Sequence, residues 1–450
     1  MSLDKINKNQ IKLLKDCKKF ILQEKNKNID ICASPLCFFT VWALTPGYYK
    51  AFDLYGKKQN SRIFFTIKNL LSIAKNFDLK LYLNEQSINN TAKNLIISYA
   101  SKKSFDIKGN FVDGYFNLKA NDPNFFWLLI SLDDYIPKKI QSNIAIIAKE
   151  KIKSFSLIYM FKYLSKIIID SNFNINLLKH FCWKEFNVSN IFFEKLQYII
   201  KTIKIKNLIL NYENIPYQNY IVKELKKWNK KINTIGYLHC APWPIQLDLI
   251  YKDQPLDRLI VSGYQQKNVL KKYLGWSKKK IDVIPSLRFH KKRSKEFNGY
   301  IFVPYNLHRN NDYLKRLEKY LDRTKEKNIF HFKIRIHPLN ASSKVHLEFK
   351  KNCEQLLKKY SKEKNKICNE SLFFGSATGV CIQALEEGTK ITHFPNDENL
   401  DVFSPKIWKT INTKKVGEKI YSYKLKKKNY TFLANYEKNK FKKYFRPILK

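Results

Sequence analysis

A chain of 450 residues exceeds what one hydrophobic core usually serves and suits two domains. Its 44% hydrophobic and 15% aromatic content excludes a mostly disordered protein. The formal net charge of +46 indicates either a solvated lysine-rich surface of biased composition or a dedicated polyanion site, and in both cases it attracts anionic membranes, nucleotides and acidic polymers. No RNA- or DNA-binding motif accompanies the charge, so we expect no specific nucleic-acid partner.

The N-terminus predicts a cytoplasmic protein. "MSLDKINKNQIKLLKD" lacks the apolar core of a signal peptide, and the longest apolar stretch of the chain is too short to span a bilayer. The eight cysteines include no C-x-x-C pair and are typical of buried thiols in a reducing compartment. We expect peripheral contact with the inner membrane face through the positive charge.

The first two hundred residues mix helical and extended patterns. Helical spacing runs over 4–25, and short strands are expected at 28–33 and 79–83. Helix-like periodicity then covers 140–170 and 188–204.

From residue 205 onward, apolar runs alternate with helices, the pattern of a parallel sheet covered on both faces. A charged stretch at 288–299 interrupts the alternation, which then resumes. We therefore predict an α/β fold with two Rossmann-like domains whose parallel sheets face a cleft. The predicted units are a first domain at 1–290, a second domain at 299–404, and a basic tail at 405–450 that packs back across both.

The stretch "FFGSATGV" joins a predicted strand to a predicted helix. Ser376 and Thr378 stand between Gly375 and Gly379, at the edge where parallel sheets bind ligands. The helix presents free N–H groups there, the hydroxyls add donors, and the glycines let a phosphate approach the backbone. The segment predicts either a phosphate cradle or a plain helix cap made by one of the hydroxyls.

A second candidate site lies in "KIRIHP". Strand alternation places Lys333, Arg335 and His337 on one face, and Pro338 ends the strand. Arg335 and His337 are candidates to contact a phosphate or diphosphate. The alternative is a polar strand end with solvated side chains.

Two candidate general bases end strands of the first domain. Glu213 ends "LILNYE" and His239 ends "TIGYLH", so both are expected to face the cleft, within reach of an acceptor hydroxyl. The structural alternatives are a helix-capping glutamate and a buried core histidine.

Arginine is concentrated in one part of the chain, since seven of nine lie between Arg258 and Arg335. In a lysine-rich protein this favours sites that need a planar, bidentate donor, although small-number clustering gives the same pattern. Arg288 and Arg309 are candidate contacts to a donor substrate. No D-x-D motif, G-x-G-x-x-G motif, P-loop or metal-ligand cluster is evident, so neither a metal nor a bound cofactor is expected.

The motif order resembles the donor-binding half of GT-B glycosyltransferases. "KIRIHP" precedes "FGSATGVCIQALEEGTKITHFP", as the H-P and Ser/Thr motifs do in bacterial sialyltransferases and polysialyltransferases. More closely, "NYENIPYQNYIVKELKKWNKKINTIGYLH" with "KKKIDVIPSLRF" resembles surface carbohydrate biosynthesis proteins of lipopolysaccharide and capsule clusters. The resemblance covers roughly 205–400. It implies a GT-B fold, with an acceptor-side domain at 1–290 and a nucleotide-sugar-binding domain at 299–404. The sialyltransferases' acidic base motif is matched only by the fragment "VDG" at 112–114.

The resemblance implies roles for matching residues. His337 and Pro338 correspond to the H-P motif, whose imidazole contacts the nucleotide phosphate, and Ser376 and Thr378 correspond to hydroxyls that bind the same phosphate. It implies an inverting, metal-independent transferase that moves a sugar, best a CMP-linked nonulosonate or Kdo-like sugar, to a surface glycan. Two alternatives remain: a sugar-phosphate or polyol-phosphate transferase of the same fold, and a non-catalytic basic scaffold that binds polysaccharide or membrane.

Overall fold

The computed structural model describes most of the chain. The described residues are 1–26, 31–34, 37, 77–84, 91–151, 165, 184–288, 298–304, 307, 312–324, 332–337, 340–360, 370–375, 379–426 and 439–449.

An eight-stranded sheet forms the first unit, in the order β1-β4-β3-β2-β5-β6-β7-β8. Only β1 runs antiparallel, against β4. The order β4-β3-β2-β5-β6-β7 is that of a doubly wound Rossmann sheet. Strands β2 to β4 are added on one side and β5 to β7 on the other, so the strand order reverses between β2 and β5. The strands are Phe77–Leu83 (β1), Asn94–Ala100 (β2), Phe125–Ser131 (β3), Ile144–Lys151 (β4), Asn207–Asn211 (β5), Asn233–Tyr237 (β6), Arg258–Val261 (β7) and Ile281–Val283 (β8).

A six-stranded sheet forms the second unit, in the order β10-β9-β11-β12-β14-β13. Its first four strands are parallel, and the strand order reverses between β9 and β11. The antiparallel pair β13–β14 extends it beyond β12. The strands are Tyr300–Phe302 (β9), Lys333–Arg335 (β10), Glu370–Phe374 (β11), Lys390–Phe394 (β12), Ile411–Gly417 (β13) and Ile420–Leu425 (β14). Two parallel-rich sheets in series confirm the predicted α/β class.

The helices begin and end at sequence signals. The Ser2 hydroxyl caps the first helix by accepting the Lys5 N–H at 3.3 Å, Pro216 opens the third, and Gly275 ends the fourth at φ 86°. The described helices are Leu3–Lys25 (α1), Lys184–Thr202 (α2), Pro216–Trp228 (α3), Tyr264–Leu274 (α4), Tyr313–Thr324 (α5), Lys344–Lys358 (α6), Gly379–Glu386 (α7) and Glu398–Asp401 (α8).

The two units pack on each other through one apolar cluster that contains side chains of both sheets. Gln10 of α1 donates to the carbonyls of Asn399 and Val402 at 2.8 and 2.9 Å, and the Trp408 indole donates to the Pro244 carbonyl at 2.7 Å. Helix α1 therefore belongs to the contact between the units as well as to the first core.

The predicted tail divides between the two sheets. Residues 411–425 form β13 and β14, a strand pair that the sequence analysis did not anticipate. Phe441 and Phe445 instead enter the core of the first sheet beside Trp127 and Tyr237. The chain thus returns from the second unit to the first.

One predicted helix is wrong in its first part. Residues 144–151, within the helix expected at 140–170, form strand β4 between β1 and β3. Ile144 and Ile146 enter one apolar cluster while Ala145 and Ile147 enter the other. A strand buried on both faces is continuously apolar, and such a run cannot be told from a buried helix by periodicity. Residues 31–33, expected in a strand, form a turn.

No helix in the part of the chain that the structure describes combines the length and apolarity needed to cross a bilayer.

Candidate functional site

Glu213 and His239 meet at the carboxyl edge of the first sheet. Glu213 follows β5 and His239 follows β6, and these strands are neighbours beside the point where the strand order reverses. Ligands bind at such points in open α/β sheets, because the loops on the two sides diverge there.

Three side chains form a compact group, Glu213–His239–Cys240. His239 Nε2 lies 3.2 Å from Glu213 Oε1 and 3.2 Å from Cys240 Sγ, and Sγ lies 3.5 Å from the same carboxylate oxygen. The His239 side chain is only 4% exposed, whereas that of Glu213 is 36% exposed. The Glu213 carboxylate can therefore contact a ligand, whereas the His239 imidazole is buried behind it.

Gln218, on the first turn of α3, holds the loop that carries Glu213. Its Oε1 accepts the backbone N–H of Glu213 at 2.9 Å and that of Ile215 at 3.3 Å, and its Nε2 donates to the Asn211 carbonyl at 2.6 Å. Asn214 has φ 58°, a conformation that asparagine tolerates better than most residues. These contacts place Glu213 independently of His239.

Tyr115 and Arg288 border the group. The Tyr115 ring packs edge-on against the His239 imidazole, with centroids 4.7 Å apart, and the Arg288 guanidinium lies 5.1 Å from the Tyr115 ring centroid. Asp113 places this loop by accepting the backbone N–H groups of Tyr115, Phe116 and Leu118. The acidic residue of "VDG" thus bonds the backbone of its own loop. Arg288 lies beside Tyr115, the ring that packs on His239.

Electrostatics keep Glu213 ionised and Cys240 protonated. Burial alone would raise the pKa of Glu213, but the hydrogen bond and charge of His239, together with Cys240 and Arg288, lower it below its ordinary value. Burial, followed by the Glu213 charge, raises the pKa of Cys240 well above its ordinary value. The group therefore offers a carboxylate and an imidazole for proton transfer, and no activated thiolate.

Gly375 lies where the strand order of the second sheet reverses. It follows β11 at φ 73°, and a Cβ atom on it would lie 2.7 Å from the Pro304 Cβ after β9. The buried His393 imidazole bonds the Gly375 carbonyl through Nε2 and Tyr423 Oη through Nδ1. This position therefore requires glycine, and α7 starts four residues later at Gly379. Ser376 and Thr378 lie outside the described residues.

Arg335 and His337 lie at the carboxyl end of β10, the edge strand of the second sheet. Arg335 is exposed, and His337 is half-buried. Burial, and then the nearby His346, lowers the pKa of His337 below its ordinary value. Strands β10, β9 and β11 are parallel neighbours, so Arg335, His337 and Gly375 all lie at the carboxyl edge of the sheet. Pro338 and Arg309 lie outside the described residues.

Sequence reasoning missed several residues of the first site. Cys240 was expected to be an ordinary buried thiol but is half-buried and contacts both candidate bases. Its position beside His239 was the available signal. No signal in the sequence identified Tyr115 or Gln218, because Tyr115 reaches the site from another loop and Gln218 from a helix face. Part of the arginine cluster is structural, since Arg316 pairs with Asp312 at 2.7 Å.

Comparison with known proteins gives no assignment. No family model matches the chain, and no curated protein matches it. Among solved structures, the wall teichoic acid polymerase TagF is similar at 12% identity and a TM-score of 0.30, over 72% of this chain and 76% of that one. A second structure of TagF, a substituted form soaked with CDPG, gives 11% and 0.29, over 72% and 75%. TM-scores this low do not superimpose one site on another.

Proposed function

We propose that this protein is a glycosyltransferase of the GT-B type, which moves a sugar from a nucleotide donor to a bacterial surface glycan. The proposal rests on one observation: each sheet has a group suited to the reaction at the point where its strand order reverses. A carboxylate–imidazole pair lies at the first sheet, and a glycine-requiring strand-to-helix turn lies at the second. In the GT-B arrangement these edges face a shared cleft.

In the proposed reaction Glu213 removes the proton of the acceptor hydroxyl, which attacks the donor sugar and inverts its anomeric centre. Glu213 is exposed enough to reach an acceptor, and His239 holds its Oε1 at 3.2 Å. Between them, the two groups can accept and retain one proton at this edge of the sheet.

The leaving phosphate is proposed to bind at the second sheet. Arg335, His337, the hydroxyls of Ser376 and Thr378 and the first N–H groups of α7 would share its charge. Donors aimed at developing charge usually contribute the largest part of such catalysis. These groups make a divalent cation unnecessary in the proposal, and transfer should continue in excess EDTA. Activity that EDTA abolishes and a divalent ion restores would contradict it.

A CMP-linked nonulosonate or Kdo-like sugar is the proposed donor, on the resemblance of the H-P and Ser/Thr motifs. Calorimetry with CMP tests this, with AMP as the control of equal phosphate charge. Binding of CMP and not AMP supports the proposal. Equal binding of both would contradict the cytidine preference, and binding of neither would favour a non-catalytic scaffold.

A lysine stripe on α1 supports peripheral membrane contact at the cytoplasmic face. Lys5, Lys8, Lys12, Lys15 and Lys19 follow one another at spacings of three and four residues, so they share one face of the helix, and all are exposed. Each lysine near an anionic surface contributes about 1 kcal/mol to binding.

Vesicle sedimentation tests the membrane contact. Glutamine at Lys8, Lys12, Lys15 and Lys19 should reduce binding to phosphatidylglycerol vesicles at low salt far more than glutamine at four exposed lysines elsewhere. The control positions are Lys271, Lys272, Lys278 and Lys279. Equal loss in the two variants would mean that net charge alone, and not the stripe, attracts the protein.

A further inference from the structure

We propose that Glu213, His239 and Cys240 form a three-ligand Zn²⁺ site, and that zinc bound there inhibits the transferase. Among the described residues, these three are the histidine, cysteine and acidic side chains whose ligand atoms converge closely enough to share an ion. The binding proposal depends only on this geometry. Its inhibitory consequence rests on the proposed function.

The three ligand atoms form a closed triangle. Its sides are 3.2 Å from Nε2 to Oε1, 3.2 Å from Nε2 to Sγ and 3.5 Å from Sγ to Oε1. One N–H and one S–H can serve two of these contacts, which leaves the third without a hydrogen bond. Hydrogen bonding alone therefore does not account for the closed arrangement.

The triangle has the dimensions of one face of a tetrahedral zinc site. Zinc binds sulfur at about 2.3 Å and nitrogen or carboxylate oxygen at about 2.0–2.1 Å. Tetrahedral angles then separate nitrogen from oxygen by about 3.3 Å, and sulfur from either by about 3.5 Å. The observed separations lie within about 0.3 Å of these values, so small side-chain movements admit the ion.

The ligand chemistry favours zinc. One thiolate, one imidazole and one carboxylate suit Zn²⁺ and exclude calcium or magnesium, which bind oxygen ligands. The polar contacts of His239 are made through Nε2 with Glu213 and Cys240. Its buried Nδ1 has no hydrogen-bond partner among the described residues. Glu213 is 36% exposed and Cys240 half-buried, so solvent reaches the group.

Charge and proton balance follow from the ligands. Cys240 releases its proton to solvent when it binds, Glu213 is already ionised, and His239 binds as the neutral imidazole through Nε2. The ion and its two anionic ligands then sum to zero charge.

Zinc in this position removes the proposed base. Glu213 Oε1, which lies at the corner of the triangle, would hold the ion and no longer accept the acceptor proton. The metal is thus an inhibitor of transfer, and it is not required for the reaction.

Binding is tested on the full chain without any substrate. Zn²⁺ calorimetry should give one site, and Co²⁺ should give the ligand-to-metal charge-transfer band of a bound thiolate. Cys240→Ser should abolish the band and lower zinc affinity at least tenfold, and Glu213→Gln should lower affinity without removing the band. His337→Asn, at a histidine outside the group, is the matched control and should bind as the wild type does. Unchanged zinc affinity in Cys240→Ser would overturn the site.

Inhibition is measured against each variant's own activity. Zinc should inhibit the wild type and should inhibit Cys240→Ser at least tenfold less. Zinc binding without inhibition overturns the inhibitory role and leaves the site in place. If no transfer is found at all, the proposed function fails, and the Co²⁺ spectrum still decides the site.

Discussion

Gln218 Oε1 accepts the backbone N–H of Glu213 at 2.9 Å, from the first turn of the helix that follows the same strand. The bond uses the Glu213 backbone and leaves its carboxylate free to face His239. A substitution that changes only the carboxylate should therefore leave the loop in place and report on chemistry.

Glu213→Gln should lower kcat by about 100-fold or more while donor affinity stays nearly unchanged, because the amide keeps the size of the side chain but cannot accept a proton. His239→Asn should weaken both donor binding and turnover. Steady-state kinetics with calorimetry measure the two effects. Glu354→Gln, on an exposed helix face, is the control and should behave as the wild type does. Full turnover in Glu213→Gln together with its loss in His239→Asn would identify His239 as the base.

Alanine at both Ser376 and Thr378 should lower nucleotide affinity by about tenfold or more per hydroxyl, because each removes a donor to a charged group worth roughly 1.5–3 kcal/mol. The free energy of unfolding should fall by only about 1 kcal/mol if one hydroxyl caps α7. Calorimetry and urea denaturation separate the two effects. Unchanged nucleotide affinity would leave only the capping role.

Gly375→Ala should destabilise the protein by roughly 1–3 kcal/mol, because its Cβ would lie 2.7 Å from the Pro304 Cβ. Gly388→Ala is a matched control: it has φ 83° against 73°, and a Cβ there meets nothing within 4 Å. The control should show only the cost of the positive φ. Urea denaturation should therefore give a larger loss at Gly375 than at Gly388. Equal losses would mean that the neighbourhood of Pro304 can adjust.

His393 should make the protein less stable in mild acid. Burial lowers its pKa to about 4, whereas an unfolded histidine has a pKa of about 6.5, so the unfolded state binds the extra proton between these values. Stability from this group is complete above about pH 6.5 and is lost as pH falls toward about 4. Burial raises the pKa of Asp248 to about 7, so this group changes stability with pH in the opposite direction. Asp248 is present in the wild type and in the His393→Gln variant alike, so it does not enter the difference between them.

The measurement is urea denaturation at a series of pH values for the wild type and His393→Gln. The difference between the two proteins should shrink as pH falls through this window, because the wild type alone loses the His393 contribution. A difference that does not vary with pH would show that His393 does not titrate separately between the two states.

Much of the second half of the chain follows from its sequence. The alternation of apolar runs and helices after residue 205 predicts parallel strands, and the residue after each strand is then known to lie at a carboxyl edge. Glu213, His239 and Gly375 were identified in this way. The prediction fails at 144–151, where burial on both faces removes the period on which it depends.

Which of those edges meet was decided by tertiary structure. Adjacency of β5 and β6 brings Glu213 to 3.2 Å from His239, and the loop after β2 brings Tyr115 against the imidazole. Strand order arises from packing among distant segments, and local pattern does not encode it. The same holds for the two phenylalanines at 441 and 445, which enter the first core after the chain has completed the second sheet. Local spacing shows where a side chain stands on its own element, and only the burial of whole surfaces selects its neighbours.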